Sequence, residues 1–502
     1  MADLDLLLIN PGGRKAVYQD LGRTLTAIEP PLWCRLNAGY AIDRGHVTDI
    51  LDADALDLDA DDVADFVLDH QPRLTVLVAH GHQPSASTQS MEHVRSICRA
   101  IKQRAEKQCI LITGVHAAAL PTQTLNEEAC DFVCNGEGPE TIHQLLVALK
   151  VGRDAGPDIE GLVWRDQSGQ IRNNPPARLI ADLEQDLHGH VWSLLPMERY
   201  RAHNWQCFGD LNKRQPYASI YTSLGCPYKC HFCCINAPFG VNRYRMRDPS
   251  AVIAEIDHLH TRYGVETFKI IDEMFVLNDR HVTAICEGLK AKDFSSKLNI
   301  WAYARVDTVK PERLELLRSA GIRWLALGIE SGSSLVRDGA QKSLSDDDIH
   351  DTVHSIQRAG ISVIGNFIFG LPDDDSASMN RTLSLARSLR CEFANFYVAM
   401  AYPGSPLYRD AMVQGWPLPS AWSGYSQHSY DCLPLPTETL RASDVLEFRD
   451  WAFHQYFEDS AYLEMIEAKF GEGPRRHIEA MTQHHLRRKI LETASSGAEL
   501  VR

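Results

Sequence analysis

Four cysteines lie within nine positions of the segment SLGCPYKCHFCCINAPFG, which spans residues 223–240. Three of them, Cys226, Cys230 and Cys233, follow the spacing C-x3-C-x2-C directly after the strand-like run YASIYTS. A loop of this length points three thiolates at three corners of an iron–sulfur cubane and leaves the fourth iron open to another molecule. The segment therefore predicts a catalytic 4Fe–4S cluster, with the out-of-register Cys234 as a spare thiol.

Two other uses of these thiols stay open as alternatives. A disulfide is disfavoured, because the start MADLDLLLINP carries Asp3 and Asp5 where a secretory signal carries basic residues. Structural zinc pairs two ligand knuckles, and the sequence shows no second C-x2-C knuckle. His231 lies inside the cluster without a distant partner pair. We expect the nine remaining cysteines to be buried structural thiols.

The pattern C-x3-C-x-F-C, with Phe232 in the aromatic position, resembles the signature of the radical S-adenosylmethionine (SAM) enzymes. The resemblance implies that the amino and carboxylate groups of SAM chelate the open iron. An electron from the reduced cluster would then cleave SAM to methionine and a 5′-deoxyadenosyl radical, which abstracts a hydrogen atom from an unactivated carbon. It also implies a low-potential electron donor of the flavodoxin or ferredoxin type.

About six β/α units follow the cysteines, with near-continuous apolar strands such as NIWAYARVD and SVIGNFIFGLP. Such strands are typical of a parallel sheet covered by helices, and they predict a partial (β/α)6 TIM-type barrel over residues 218–415. Functional residues of such barrels lie at the carboxyl ends of the strands. The family resemblance names the SAM-binding candidates Phe232, Asp272, Glu273, Arg305, Glu330, Gly365 and Gly370.

Strand and helix signals also alternate through residues 1–150, which predicts a doubly wound, Rossmann-like α/β domain. The segments INPGGRKAVYQDLGRTLTAIEPPLW, TGVHAAALPTQTL and DFVCNGEGPETI resemble the cobalamin-binding domain that is fused to radical SAM barrels. The resemblance assigns cobalamin binding to strand-end residues: Asn10, Pro11, Gly12, Arg14, Gly81, Gly114, His116, Gly136, Glu137 and Gly138.

The ligand below the cobalt is not assigned by the sequence. Many corrinoid domains carry the motif D-x-H-x-x-G, and this motif is absent here. Water, a side chain such as Asn10, or no ligand at all stay open. For the loop histidines His80, His82 and His116 we favour hydrogen bonding or turn capping over cobalt ligation.

The two remaining regions are expected to be supporting structure. Residues 151–217 predict a linker with a small β extension, including a hairpin at Ser168-Gly169, that wraps onto the barrel. Residues 416–502 predict a mostly helical C-terminal domain. Its crowded aromatic residues favour a core face packed on the barrel, and closure of the substrate pocket by part of that face is the alternative.

Composition narrows the class of partner. The 502-residue chain has a formal net charge of −15, which disfavours nucleic acid and anionic lipid as the main ligands. No apolar run reaches the roughly 20 residues that a membrane span needs. These features predict a cytoplasmic enzyme that acts on a small-molecule substrate.

Together the two expected cofactors favour methylation of an unactivated carbon in a natural-product or cell-envelope substrate. Cobalamin would supply the methyl group, and the deoxyadenosyl radical would activate the substrate carbon. No catalytic side chain beyond the cofactor ligands is assigned. Two alternatives stay open: a cyclase or rearrangement enzyme with the same cofactors, and a non-catalytic corrinoid-binding or metal-binding sensor.

Overall fold

The computed structural model of the chain describes residues 4–81, 83–153 and 156–495. Its strands are β1 (Leu6–Asn10), β2 (Thr48–Asp52), β3 (Leu74–Val78), β4 (Ile110–Thr113), β5 (Phe132–Cys134), β6 (Leu162–Arg165), β7 (Ile171–Asn173), β8 (Tyr217–Ile220), β9 (Ser223–Leu224), β10 (Arg245–Met246), β11 (Thr267–Ile270), β12 (Asn299–Arg305), β13 (Ile322–Glu330), β14 (Ser362–Phe369) and β15 (Phe393–Val398).

The α-helices are α1 (Arg14–Val17), α2 (Leu21–Thr24), α3 (Leu32–Asp43), α4 (Ala53–Leu56), α5 (Ala60–His70), α6 (Met91–Arg104), α7 (Val115–Ala119), α8 (Pro121–Glu127), α9 (Pro139–Lys150), α10 (Leu183–Asp186), α11 (Pro249–Tyr263), α12 (Asp279–Lys290), α13 (Leu314–Ser319), α14 (Ser334–Gly339), α15 (Asp346–Arg358), α16 (Ser376–Leu389), α17 (Pro406–Gln414), α18 (Ala442–Phe457), α19 (Ser460–Phe470), α20 (Glu472–Thr482) and α21 (Lys489–Ser495). None of the described helices is long and apolar enough to cross a membrane.

The N-terminal sheet has the strand order β2-β1-β3-β4-β5-β6-β7, and its first five strands are parallel. Strand β3 is buried along its whole length, as expected for a strand that helices cover on both faces. The predicted doubly wound α/β domain is thus confirmed. The hairpin β6–β7, the predicted small β extension, adds antiparallel strands to this sheet, so the sheet continues to Asn173.

The second large sheet is parallel, with the order β15-β14-β13-β12-β11-β8. Consecutive β/α units lie side by side in it, and β8 and β15 are its edges, as in the predicted partial (β/α)6 barrel. The short antiparallel pair β9–β10 follows β8, with Leu224 paired to Arg245. This pair closes the base of the loop that carries the four clustered cysteines.

The C-terminal helices pack on the barrel edge formed by β15. Phe448 of α18 makes an edge-on contact with Phe369, with ring centroids 5.1 Å apart. The hydroxyl of Tyr456 donates to the carbonyl of Cys391 at 2.6 Å, and that of Tyr462 donates to the carbonyl of Glu392 at 3.1 Å. These contacts support the expected aromatic core face.

One buried arginine joins the two α/β units. Arg35 of α3 has a fully buried side chain, stacks 3.6 Å above the ring of Trp192, and forms an ion pair with Glu255 of α11 at 3.3 Å. It also donates to the carbonyls of Gly189 and Ser219, each at 3.0 Å. The N-terminal domain, the linker and the barrel therefore meet at a single guanidinium.

We expect Arg35→Met to lower the free energy of unfolding by about 2–3 kcal/mol, because the buried carbonyls of Gly189 and Ser219 lose their donor, although Glu255 keeps its ion pair with Arg247 at 2.5 Å. Arg44→Met is the matched control. Arg44 pairs with Asp186 at 2.9 Å, but both side chains are more than a quarter exposed, and such a pair contributes about 1 kcal/mol or less. Urea unfolding measures both variants, and equal losses would contradict this role of Arg35.

Candidate functional site

The cysteine loop lies at the carboxyl end of the first barrel strand. Cys226, Cys230 and Cys233 are partly exposed, whereas Cys234 is buried. The amide of Asn236 braces the loop: its Nδ2 donates to the carbonyl of Cys226 at 3.0 Å, and its Oδ1 accepts from the Cys226 N–H at 3.4 Å. Three partly exposed thiols thus share one pinned loop, and the fourth thiol is turned into the core.

Neighbouring residues hold the cysteine loop against the barrel. The carbonyl of His231 accepts from the N–H of Leu407 at 2.9 Å, and its ring lies 2.7 Å from a carboxylate oxygen of Asp410. Phe232 packs against apolar clusters that include Ile368 and Leu407. The ring of Phe232 is thus an apolar anchor of the loop, and its contact with SAM stays a prediction.

Arg305 brings a positive charge to the cysteines. Its Nη1 lies 3.7 Å from Sγ of Cys230, its other guanidinium nitrogens bind Asp307 at 2.9 and 3.0 Å, and it stacks 3.9 Å above the ring of Tyr228. These contacts place Arg305 beside the cysteine loop, and its contact with SAM stays a prediction.

The donor set fits a cluster held by three cysteines. Burial raises the pKa of Cys226 to about 11, so its thiol stays protonated until a metal displaces the proton. Within the described residues, no three His, Cys, Asp or Glu side chains are grouped so as to hold a single metal ion. The fit therefore rests on the three partly exposed thiols, their common loop and the adjacent guanidinium.

A cleft lies between the cysteine loop and the N-terminal domain, and its empty volume, including space open to solvent, is about 620 Å3. The N-terminal domain lines it with Asn10, Pro31, Leu32, Trp33, Cys34, Val78, His80 and Gly81, and the barrel lines it with Ser223, Leu224, Ile235, Phe239, Ile271 and Glu273. The ring of His80 stacks on Trp33, with centroids 4.8 Å apart. Strand ends of both domains therefore face one shared space.

Glu273 supplies an unsatisfied acceptor to this cleft. Among the described residues, its buried Oε2 has no hydrogen-bond partner. Burial is the main cause that raises the pKa of this carboxyl to about 8, and the nearby charge of Asp272 adds to the effect. A buried acceptor without a partner fits a ligand that brings a cationic donor.

Asp272, also predicted to contact SAM, is committed to the protein itself. Its carboxylate accepts from the N–H and hydroxyl of Thr222 at 2.6 and 2.5 Å and from the hydroxyl of Ser223 at 2.6 Å. The residue is only 1% exposed. Asp272 thus positions the start of the cysteine loop through these hydrogen bonds, and its direct contact with SAM stays a prediction.

Glu330 ends β13 in a strained conformation. Its φ of 66° lies in the left-handed region, which costs a non-glycine residue about 1–3 kcal/mol and is concentrated at functional sites. Its carboxylate pairs with Nζ of Lys342 at 2.5 Å. A Cβ at Gly328 would lie 2.4 Å from this Nζ, so a side chain there would displace the ion pair.

The two glycines among the predicted SAM-binding residues, Gly365 and Gly370, lie close to other residues of the fold. Gly365 is in the middle of β14, where a Cβ would lie 2.7 Å from the ring of Phe367 and 3.2 Å from Sγ of Cys391. Gly370 follows the end of β14, and a Cβ there would lie 2.5 Å from Val445 of α18. Both glycines therefore allow close packing within the fold.

Asn10, a predicted cobalamin contact, lines the cleft, and hydrogen bonds from neighbouring residues hold its side chain in place. Its Nδ2 donates to Asp52 at 2.8 Å, and Asp52 also accepts from the hydroxyl of Tyr200 at 2.9 Å and from the N–H of Ala55 at 3.1 Å. Burial, followed by the charge of Asp54, raises the pKa of Asp52 to about 6. Because Nδ2 is committed to Asp52, the amide oxygen is left for the cleft.

Other predicted residues of the N-terminal domain shape its loops. Pro11 is buried, Gly12 has a φ of 73°, and Arg14 pairs with Asp54 at 3.0 Å. Gly81 lines the cleft, and a Cβ there would lie 2.7 Å from the carbonyl oxygen of Gln83. A Cβ at Gly114 would lie 2.1 Å from the carbonyl oxygen of Ala79, so close backbone approach explains that glycine.

His116 is fully buried, away from any open surface. Its Nδ1 lies 3.2 Å from the hydroxyl of Thr88, and Trp422 covers its ring edge-on at 4.5 Å. Burial lowers its pKa to about 3, so the ring is neutral. Its Nε2 has no hydrogen-bond partner among the described residues, and a cobalamin contact of His116 stays a prediction. His82 lies outside the described residues.

The Gly136-Glu137-Gly138 turn leads into α9. Gly136 has a φ of 150° and open space at its Cβ position, so it can accept an approaching ligand. A Cβ at Gly138 would lie 3.1 Å from Oδ1 of Asn37. Glu137, predicted to contact cobalamin, forms an ion pair at 2.5 Å with Arg245, next to the cysteine loop, and thereby joins the two domains.

Several functional partners were missed at the sequence level. Lys269 forms a buried ion pair with Glu29 of the N-terminal domain at 2.9 Å, and Lys342 and Tyr200 support Glu330 and Asp52. The sequence could have identified Lys269, because it alternates with Ile271 and Glu273 on one face of the strand TFKIIDE. The others are distant in sequence from the groups they support.

Two family models match the chain. The Radical SAM superfamily matches residues 220–386, and the B12 binding domain matches residues 18–146. The first range starts at Ile220, the last residue of β8, and includes the cysteine loop and β11, β12, β13 and β14, and the second includes β2, β3, β4 and β5. Both predicted family resemblances are therefore confirmed.

Curated relatives match along most of the chain. An uncharacterized methyltransferase of Pyrococcus horikoshii is 28% identical over 85% of this chain and 87% of its own length. An anaerobic magnesium-protoporphyrin IX monomethyl ester cyclase of Rubrivivax gelatinosus is 25% identical over 81% of this chain and 69% of its own. A cytidylyl-2-hydroxyethylphosphonate methyltransferase of Streptomyces wedmorensis is 25% identical over 61% of each chain.

Two solved structures share the fold. TsrM from Kitasatospora setae, a radical SAM methyltransferase solved with cobalamin and a 4Fe–4S cluster, superposes with a TM-score of 0.68 at 18% identity, covering 91% of this chain and 90% of its own. OxsB, solved with aqua-cobalamin and SAM, gives 0.67 at 14% identity over 95% and 71%. With its two family domains joined at one cleft, the chain is a cobalamin-dependent radical SAM enzyme of the methylase-like type.

Proposed function

We propose that the chain transfers a methyl group to an unactivated carbon of a small-molecule substrate. The observation that carries the proposal is the single cleft into which the strand ends of the B12-binding domain and the barrel both open, beside the cysteine loop. A methyl donor and a carbon radical must meet within contact distance, and this cleft is where the two domains face each other. The methyltransferase names of two relatives support the same reaction.

The protein's share of this reaction is to bind and orient. When bound, the cofactors supply a cobalt-borne methyl group and a SAM-derived radical. Cys226, Cys230 and Cys233 would hold the cluster, with Arg305 balancing its negative charge. Glu273 would accept the amino group of SAM, and Asn10 and Gly81 would contact cobalamin. Trp33 and Phe239, whose ring centroids are 6.2 Å apart, would help to keep water from the cleft.

A cyclase or rearrangement enzyme is the second candidate, favoured by the relatives named as magnesium-protoporphyrin monomethyl ester cyclases. The two reactions differ in their cosubstrate products. Methylation consumes one SAM as a methyl donor and yields S-adenosylhomocysteine beside 5′-deoxyadenosine. Cyclisation transfers no methyl group and therefore forms no S-adenosylhomocysteine. The mass of a product separates them as well, because methylation adds one CH2 unit.

The deciding experiment is anaerobic. The protein is reconstituted with iron, sulfide and hydroxocobalamin, then supplied with SAM and a low-potential reductant, and both nucleoside products are quantified. We expect 5′-deoxyadenosine and S-adenosylhomocysteine together. Deoxyadenosine alone would support the cyclase, and neither product would support a non-catalytic sensor.

Two further assignments belong to this proposal. The electron for SAM cleavage comes from a carrier of the flavodoxin or ferredoxin type. All thirteen cysteines are free, which is consistent with a cytoplasmic location, where thiols stay reduced.

The support of Asn10 gives a test of cobalamin binding. We expect Tyr200→Phe to weaken cobalamin binding by about five- to tenfold, or about 1–1.4 kcal/mol, because a hydrogen bond to a charged group contributes about 1.5–3 kcal/mol and part of this would be lost from holding Asp52 and hence Asn10. Tyr40→Phe is the matched control, because the Tyr40 hydroxyl also donates to a carboxylate, that of Glu140, outside the cleft-lining set. Visible absorbance after equilibrium dialysis measures retained cobalamin. Equal affinity in both variants would contradict the role of Tyr200.

A further inference from the structure

The surface beside the cysteine loop is both apolar and basic. Val241 is 51% exposed and Met246 is 41% exposed, although β-branched and apolar side chains of this size usually lie inside. Lys229 and Arg243 are exposed in the same loop. These four residues are referred to below as the cluster-side patch.

The patch carries uncompensated positive charge. Among the described residues, neither Lys229 nor Arg243 forms an ion pair. Three acidic groups lie near the cysteine loop or the patch in space or sequence: Asp307 binds Arg305, Asp410 lies against the ring of His231, and Asp248 accepts from the N–H of Ser250 at the start of α11. On a chain with a formal net charge of −15, an unpaired basic surface selects an acidic partner.

The loop geometry places this patch next to the cluster ligands. The side-chain amide of Asn242 donates to the carbonyl of Tyr228 at 2.6 Å, which ties the segment bearing Val241 and Arg243 to the segment between Cys226 and Cys230. The carbonyl oxygen of Arg243 would lie 2.2 Å from a Cβ at Gly225, the residue before Cys226. A protein that covers the patch therefore lies against the loop that holds the three partly exposed cysteines.

We propose that the cluster-side patch docks an acidic, low-potential one-electron carrier protein. The inference rests on the proposed function, because only a cluster that cleaves SAM needs repeated reduction. In the docked complex one electron leaves the carrier, which is oxidised by one electron, and reduces the cluster by one. No atom or proton moves between the two proteins. The basic side chains steer the encounter, and Val241 and Met246 supply the apolar contact.

The test uses the cluster-loaded and cobalamin-loaded protein with a flavodoxin as the probe. Binding is measured by biolayer interferometry at about 0.05 M and about 0.5 M salt, because screening at the higher salt shortens the reach of surface charge to a few ångströms. The variant Lys229→Glu/Arg243→Glu reverses the patch. Its matched control is Arg262→Glu/Lys290→Glu, since these exposed residues lie at the C-terminal ends of α11 and α12, at the opposite end of the barrel.

For the wild type and the control we expect flavodoxin binding that weakens with salt. The patch reversal should weaken low-salt binding at least about tenfold and flatten the salt dependence. Flavodoxin-driven reduction of the cluster, followed by its absorbance, should fall in parallel. Reduction by dithionite should stay at the wild-type level, which separates a docking defect from loss of the cluster.

Three outcomes would overturn the proposal. These are no flavodoxin binding by the wild type, unchanged binding by the patch reversal, and equal loss in the control at the far end of the barrel. The dithionite arm keeps failure of docking distinct from failure of the proposed function, because SAM cleavage with dithionite reports the latter alone. The variant Val241→Ser/Met246→Ser tests the apolar part, and we expect weaker binding with an unchanged salt slope.

Discussion

Replacing Cys226, Cys230 or Cys233 by alanine is expected to abolish 5′-deoxyadenosine formation, a loss of at least about a thousandfold, or about 4 kcal/mol in transition-state stabilisation. A cluster with three protein ligands has no substitute for a missing thiolate on this loop, since the fourth thiol, Cys234, is turned into the core. Iron content and cluster absorbance after anaerobic reconstitution should fall with activity. Each single variant should give the same result.

Cys234→Ala is the matched control for this prediction. Cys234 is adjacent to Cys233 in sequence but only 4% exposed, and its Cβ lies 3.7 Å from the Cβ position of Gly404. We expect full iron content, full SAM cleavage and a stability loss of about 1 kcal/mol from the lost packing. Loss of iron in Cys234→Ala, or its retention in Cys230→Ala, would contradict the assignment of the three ligands.

Local sequence patterns predicted those features whose residues all lie within one short segment of the chain. The cysteine spacing, the apolar strands and their polar carboxyl ends are all readable within short windows, and the strands lie where those windows place them. Periodicity also explains why Glu273 faces the cleft and Asp272 does not: the two are adjacent on one strand end, and neighbouring residues of a strand point to opposite faces. The sequence alone does not say which of the two faces inward.

Pairings between distant segments could not be read in this way. Glu137 has the position of a cofactor contact in its own domain, but Arg245, more than a hundred residues later, takes its carboxylate. His116 lies at a strand end like other ligand-binding residues, yet Trp422 from the C-terminal region encloses it. In each case the deciding partner comes from a different domain, and periodicity carries no information about it.

Glu273→Gln is expected to weaken SAM binding by about 10- to 100-fold, because a hydrogen bond between charged groups contributes about 1.5–3 kcal/mol. Equilibrium dialysis of the reconstituted protein measures this affinity. The pH dependence adds a second signature. The pKa of Glu273 is raised to about 8, so below that pH the carboxyl must lose a proton before it can pair with the amino group of SAM.

Wild-type affinity for SAM should therefore rise as the pH increases through the range below about 8, whereas Glu273→Gln should show no such rise from this group. Asp272→Ala provides the contrast. It removes three hydrogen bonds to Thr222 and Ser223, so the thermal stability and the iron content of Asp272→Ala should both fall. Glu273→Gln should keep the wild-type stability and iron content. If Glu273→Gln binds SAM like the wild type at every pH, the free acceptor in the cleft serves another ligand, and the amino group of SAM must be held elsewhere.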